Sequence, residues 1–421
     1  MTIQTSARPA LAELSLSALL KRSVVNGKGE AIGSLQDVVV VLRDEHYPAL
    51  TALVIASGGR VYRAPAAVLG PLDGKSVPVR AEGLSLEPFT RQDGEVLLKQ
   101  DVLGHRLIDT AHSALVKAYD IRLTQTEVSW MATGLDVHKH SWFSFGAHEH
   151  HPARDWRSFV LLLGAQTQAK ARAGARWLGR LKPAQIADLI EAASAEERGA
   201  LLAEVHSDPV LEASVFEELE DDKQAELLRN RSDQEVADVL SRMRADDVAD
   251  AVMELPQSRR LKVLDLLPQP QNTKVRALLG YNPATAGGLM GTDYLALSEE
   301  RTVGEALQAV REAVTQQPEA LTTIYSLHAD GVLAGALGLV RALQLDPTLR
   351  LCDAAEPNAV YASPDDDIVA VTTSMADFNL LSLPVLDEAG RIVGIITVDD
   401  ALEAAIPSDW SRRETGQRRQ A

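Results

Sequence analysis

Gly331-Val-Leu-Ala-Gly335 and Gly390-Arg-Ile-Val-Gly394 are one short phrase written twice, 59 residues apart (390 − 331). Around each copy the same order of elements recurs. In the first, strand-forming Tyr294–Leu297 precedes a helix capped by Thr302 with Glu305, then Thr323–Leu327, a turn at Asp330-Gly331, and Val332–Leu337. In the second, Val360-Tyr361 precedes a helix begun at Asp365–Asp367, then Ser382–Leu386, a turn at Ala389-Gly390, and Ile392–Thr397. A repeat of this length with an internal turn glycine and apolar runs on both sides predicts two tandem βαββα units.

This layout, between Met290 and Ile406, resembles a CBS domain pair. The second copy ends in Gly394-Ile-Ile-Thr397-Val-Asp399-Asp400-Ala-Leu-Glu403. CBS modules that hold adenine nucleotides are similar there, which implies Gly394, Thr397 and Asp400 as nucleotide contacts: the hydroxyl would meet a phosphate at a helix N-terminus, and the carboxylate the ribose. Thr-x-x-Asp at a helix start is equally a capping arrangement that needs no ligand. In the first copy Gly338 and Arg341 stand where the hydroxyl and carboxylate belong, so at most one nucleotide site per chain is expected.

Moving toward the amino terminus, Ala153–Gly280 reads as helical. Ser194-Ala-Glu-Glu197 and Ser232-Asp-Gln-Glu235 are capping boxes, in which the hydroxyl accepts from an orphan N–H and the Glu reaches back. Pro183–Leu189, Asp222–Leu228, Gln234–Leu240 and Asp246–Val252 repeat a small residue, an acid and then apolar residues, as stacked helices of a superhelix do. Glu217–Leu228, Met243–Asp250 and Tyr281-Asn-Pro-Ala-Thr-Ala-Gly-Gly-Leu-Met290 resemble the helical amino-terminal domain of MgtE magnesium transporters and its junction with a CBS pair.

That resemblance implies magnesium, bridging acidic residues of the helical side to those of the CBS side. The matching positions are Asp246, Asp247 and Asp250, facing Asp399, Asp400 and Glu403. Mg2+ is a hard, strongly hydrated ion that takes carboxylate and water oxygens, so such faces would repel without it and close around it. Two departures stand against the family pattern. Asn282–Thr285 carries no carboxylate after the junction tyrosine, and Pro407–Ala421 replaces the acidic connecting helix with a tail expected to be disordered.

The first 152 residues read differently. Gly58-Gly59 between Leu50–Ser57 and Arg60–Ala64 is a hairpin turn, and a second half from Glu95 repeats the sense of the first. The region resembles PRC-barrel adaptors, which implies a protein partner. Val137–Pro152 holds five of the ten histidines, dense enough for a zinc or nickel site yet without closed ligand spacing, and Gly146 and Pro152 mark it as a linker.

Composition narrows the function. A formal charge of −17 disfavours nucleic acid, whose binding depends on releasing counterions to basic side chains, and favours a cation. Cys352 is the single cysteine, which excludes paired-thiolate metal sites and fits a reducing compartment. Met1–Ala10 has no export signal, and Val332–Leu345 is shorter than the roughly 20 apolar residues of a spanning helix and contains Arg341. A cytoplasmic protein without membrane insertion is expected. No Gly-x-Ser-x-Gly, phosphate-loop or His-Glu-x-x-His motif occurs, so no catalytic residues are assigned.

The expected architecture is therefore multidomain α+β: a β-barrel-like region in two halves (1–88 and 89–152, the latter with the histidine-rich linker), an all-α superhelix (153–285), a tandem CBS pair (286–406) through which the chain forms a homodimer, and a tail (407–421).

Overall fold

A computed structural model describes residues 12–42, 47–70, 72, 74–80, 87–126, 129–138, 153–161, 178–313 and 318–406. The histidines beyond His138 in the linker and the tail from Pro407 lie outside these residues. The chain divides into two compact units, Met1–Leu219 and Glu220–Ala421.

In the first unit, the expected hairpin is Leu50–Ser57 against Arg60–Pro65, with Gly58 and Gly59 at φ 57° and 76°. Only glycine adopts that pair of angles without strain. The long strand Ala31–Val41 pairs with this hairpin. Its Val38 and Val40 enter one continuous core together with Leu16, Leu53, Leu98, Leu107, Ile121, Leu123 and Leu135. The two sequence halves thus share a single core, and residue 88 separates halves but not hydrophobic interiors.

The halves also exchange parts. Strand Glu13–Ser15, from the first half, pairs with Asp120–Gln125 of the second; strand Glu95–Leu97, from the second, pairs with Ala31–Val41 of the first. Each of these short strands runs straight into one helical turn, Leu16–Leu20 and Leu98–Val102, and each turn is capped from the opposite half. Asp120 accepts from the Ser17 backbone N–H at 3.0 Å and from its hydroxyl, while Asp37 accepts from the Lys99 and Gln100 N–H groups at 2.7 and 2.9 Å.

One boundary is corrected. The chain does not turn helical at 153: Arg154–Asp155 pairs with Trp130–Asp136, and Phe159–Leu161 pairs with Arg106–Asp109. Phe159 and Leu161 alternate into the same core beside Trp156 of the preceding 3-10 turn, a period-two signal too short to register beside the long helical pattern that follows. Helices then run Pro183–Ala192, Ala195–Val205 and Pro209–Glu217. Arg106 pairs with Glu197 at 3.0 Å and ties the sheets to this helical segment.

The second unit continues with helices Asp221–Arg229, Asp233–Leu240, Ala245–Glu254, Gln257–Leu266 and Gln271–Leu278. Both capping boxes form, Ser194 with Glu197 and Ser232 with Glu235. At the junction, Gly287 and Gly288 have a steric cause: a Cβ on Gly287 would stand 2.6 Å from the Tyr281 ring, and one on Gly288 2.5 Å from the Asn282 carbonyl. The turn they allow donates Ala286 N–H to Asp366 O and Gly287 N–H to Pro364 O, seating the helical segment on the second CBS copy.

The CBS pair follows. Leu295–Ser298 lies parallel to Thr323–Leu327, which pairs antiparallel with Leu333–Gly338; Ser382–Leu386 pairs antiparallel with Ile392–Thr397. The strand expected at Val360-Tyr361 is reduced to one parallel bridge, Ala362 with Val385. The repeated phrase is explained by two distinct needs. Gly331 and Gly390 turn at φ 86° and 75°. Gly335 and Gly394 make room for a crossing backbone: a Cβ would meet Glu356 O at 2.7 Å in the first copy and Gly291 O at 2.8 Å in the second, where Ala336–Glu356 and Gly291–Ile395 bridges form.

Candidate acidic junction

Two helix N-termini meet inside the second unit. Ala245–Glu254 carries Asp246 and Asp247 in its first turn, and Val398–Ala405 carries Asp399 and Asp400. Carboxylates belong there, because the first backbone N–H groups of a helix are unpaired and its positive dipole end attracts them. Between the two turns lies Arg244. Its Nε and Nη2 donate to Asp247 at 2.5 and 3.1 Å, and its Nη1 donates to Asp400 Oδ1 at 3.1 Å. Burial works against the guanidinium's charge, but Asp247, Asp246 and Asp400 outweigh it and hold the group charged.

The six expected acidic positions are placed as follows. Asp247 and Asp400 are joined through Arg244. Asp246 lies over the Gly291 backbone, and burial first, then Asp247 and Asp400 against the relief of Arg244, push its carboxyl up to about 7. Asp250, on the next turn, is pushed up to about 6 by partial desolvation and by repulsion from Asp221, Asp246, Glu403 and Glu254. Asp399 accepts from the Thr397 hydroxyl at 2.6 Å and is otherwise exposed. The structure therefore sets Asp250 beside Asp246 and in the field of Glu403, and joins Asp247 to Asp400 through Arg244, while Asp399 belongs to the cap of its own helix.

The three expected nucleotide contacts have local partners. Thr397 and Asp400 form a reciprocal capping box: the Thr397 N–H donates to Asp400 Oδ2 at 3.2 Å and the Asp400 N–H donates to the Thr397 hydroxyl oxygen at 3.5 Å, with the one hydroxyl proton shared between Asp399 and Asp400. Asp400 thus has one oxygen on Thr397 and the other on Arg244. Gly394 meets the Met290 and Gly291 segment.

Among the described residues no three His, Cys, Asp or Glu side chains converge closely enough to grip an ion directly. An ion that keeps its hydration shell does not need such a grip, and Mg2+ loses water reluctantly. Asp246, Asp250 and Glu403 offer oxygen donors suited to that outer-sphere role, with Asp250 repelled both by Asp246 on its own helix and by Glu403 on the other. Sequence reasoning missed Arg244. The available signal was an arginine at a helix N-cap, where Ser, Asp or Asn would ordinarily stand, three residues before an Asp.

Comparisons with known proteins bear on both elements. The family described as MgtE intracellular N domain matches residues 181–284, and the CBS domain family matches residues 352–406. The magnesium transporter MgtE of Thermus thermophilus is 40% identical over 145 residues, 34% of this chain and 32% of that protein. Its counterpart in Enterococcus faecalis is 25% identical over 130 residues, 31% of this chain and 28% of that protein. The chain spans about a third of the length of the curated relatives it matches. Among solved structures, the cytosolic domain of the Mg2+ channel MgtE in complex with ATP aligns with TM-score 0.52 and 32% identity, over 56% of this chain and 95% of that one. The soluble part of a magnesium transporter aligns with TM-score 0.51 and 23% identity, over 57% and 92%, which speaks to fold alone. No described helix is long and apolar enough to cross a membrane.

Proposed function

We propose that this chain, an MgtE intracellular N domain joined to a CBS pair and preceded by a β-rich region, is a non-catalytic regulator that responds to Mg2+ in the cytoplasm and does not itself transport. The observation that supports the reading is the crowding of Asp246 and Asp250 on one helix, with Asp250 in the field of Glu403 on another, and both aspartates pushed toward neutrality by burial and by neighbouring carboxylates. Neutralising such a face with a hydrated divalent ion lowers the electrostatic cost of closure, so ion occupancy biases a two-state arrangement. Asp246, Asp250 and Glu403 would hold the ion's water shell; Asp247, Asp399 and Asp400 would set the surrounding negative potential.

The chain forms a homodimer through the CBS pair, and its amino-terminal β region serves as the adaptor to another protein. An adenine nucleotide is the second reading, kept because the relative aligned above was solved with ATP. At Gly394, Thr397 and Asp400 it would have to displace the capping box and the Arg244 contact. Magnesium titration of the full chain, followed by small-angle scattering and by hydrogen exchange of Ala245–Glu254 and Val398–Ala405, separates the readings. Protection that rises with Mg2+ and is lost in Asp246→Asn/Asp250→Asn supports the first. A response to ATP or AMP alone, lost in Thr397→Val, would transfer the function to the second.

A further inference from the structure

Arg244 occupies the acidic junction in a way that magnesium cannot. Its side chain is only 22% exposed, and Asp400 across from it only 10%, so the pair is shielded from the water and salt that weaken surface ion pairs. The geometry is saturated on the arginine's side of the junction. Asp247 takes two parallel donors from Arg244, and Asp400 offers Oδ1 to the third nitrogen while Oδ2 is held by Thr397. A guanidinium cannot be deprotonated near neutral pH or diffuse away.

We propose that Arg244 is a resident cation that partly closes the acidic junction without metal and thereby sets the Mg2+ concentration at which closure completes. This rests on the magnesium reading above and deepens it. The junction is divided: Arg244 engages Asp247 and Asp400 and offsets one of their two charges, while Asp246 and Asp250, which form no ion pair among the described residues, are left to an exchangeable ion. Two effects of Arg244 on that ion oppose each other. Its positive charge repels the metal, but it is compensated at contact distance by two carboxylates. Its bridge raises the population of the arrangement that binds the metal, and apparent affinity scales with that population. The second effect wins, because a bridge at 3.1 Å acts directly on closure whereas the residual field of a compensated charge falls off through water.

The test uses the full chain and reads hydrogen exchange of Val398–Ala405 and of Ala245–Glu254, first in chelator and then along a Mg2+ titration. Arg244→Gln is expected to lose protection in chelator and to need roughly tenfold more Mg2+ to regain it. Arg244→Lys, which keeps the charge but not the fork, falls between. Adding Asp400→Asn to Arg244→Gln removes the stranded carboxylate and moves the chelator state back toward wild type, an outcome a misfolded variant would not give. If wild type responds to Mg2+ while Arg244→Gln matches it in chelator and in midpoint, the resident-cation role is overturned and the magnesium reading stands. If wild type shows no Mg2+ response, both fall, and any loosening of Arg244→Gln marks a purely structural ion pair.

Discussion

Asp37 caps a helical turn in the other half of its own unit: its carboxylate accepts the Lys99 N–H at 2.7 Å across 62 residues of chain. The reciprocal contact from Asp120 to Ser17 gives the β-rich unit an internal exchange, so neither half can complete its short helix or its sheet alone. An exchange of this kind makes the unit cooperative, because losing either cap loosens both halves.

Asp37→Ala should therefore cost more than an ordinary cap. It strands the N–H groups of Val38, Lys99 and Gln100 at a position only 4% exposed. A loss of about 2–3 kcal/mol is expected. Asp120→Ala, at a half-buried site where two backbone N–H groups and one hydroxyl lose their acceptor, should cost about 1–2 kcal/mol. Chemical unfolding followed by hydrogen exchange in both halves checks this: a loosening confined to Leu98–Val102 in Asp37→Ala would refute cooperative exchange.

Acid should stabilise the second unit. Asp246 and Asp250 are raised from 3.8 to about 7 and about 6, so between about pH 4 and pH 7 the folded chain binds more protons than the unfolded chain. The proton-linkage slope is then negative, and stability falls as pH rises through that window. Thermal midpoints in chelator should drop between pH 5.5 and pH 8, by an amount on the order of 1 kcal/mol because Asp250 is solvated and the two carboxyls share their shift. Mg2+ should recover more at pH 8 than at pH 5.5. Asp246→Asn should flatten the profile; an unchanged slope in that variant would place the titration elsewhere, Asp37 being another raised carboxyl.

The elements that sequence disclosed are those whose signals are local. Ser194, Ser232 and Thr302 with their partner glutamates fixed helix starts, and Gly58-Gly59 fixed a hairpin, because each is decided by residues within three or four positions. The repeated glycine phrase disclosed the CBS pair. What stayed hidden depends on contacts distant in sequence: the exchange of Glu13–Ser15 and Glu95–Leu97, the strands at 154–161, and Arg244 reaching Asp400. The acidic positions were nominated by resemblance. Their division into an arginine-held pair and a remaining group needed coordinates, since nothing in Arg-Ala-Asp-Asp says which carboxylate the guanidinium takes.

Gly394→Ala separates a packing role from a ligand role. The added Cβ would meet Met290 Sδ at 2.7 Å and Gly291 O at 2.8 Å; the methionine can move, but the backbone oxygen belongs to the Gly291–Ile395 bridge. A loss of about 1–3 kcal/mol is expected with no ligand present. Gly335→Ala, against Glu356 O at 2.7 Å, should behave alike in the first copy. Differential scanning calorimetry in nucleotide-free buffer decides; full stability of Gly394→Ala there would return this glycine to a ligand-binding role.

The proposed dimer through the CBS pair makes a prediction of its own. Helices Leu339–Gln344, Ile368–Asp377 and Val398–Ala405 leave Val340, Val369 and Leu402 71%, 73% and 55% exposed, and Phe378 and Ile406 beside them are exposed too. Apolar side chains this prominent on helices of one pair are covered most economically by the same helices of a second copy, since a two-fold interface matches a patch to itself. Val369→Glu with Leu402→Glu puts unpaired charge in that interface and should convert a dimer to a monomer in light scattering. Folding should survive, because neither side chain contributes to the core. A wild-type chain that is monomeric at tens of micromolar, or a double variant that remains dimeric, would move the interface off these helices.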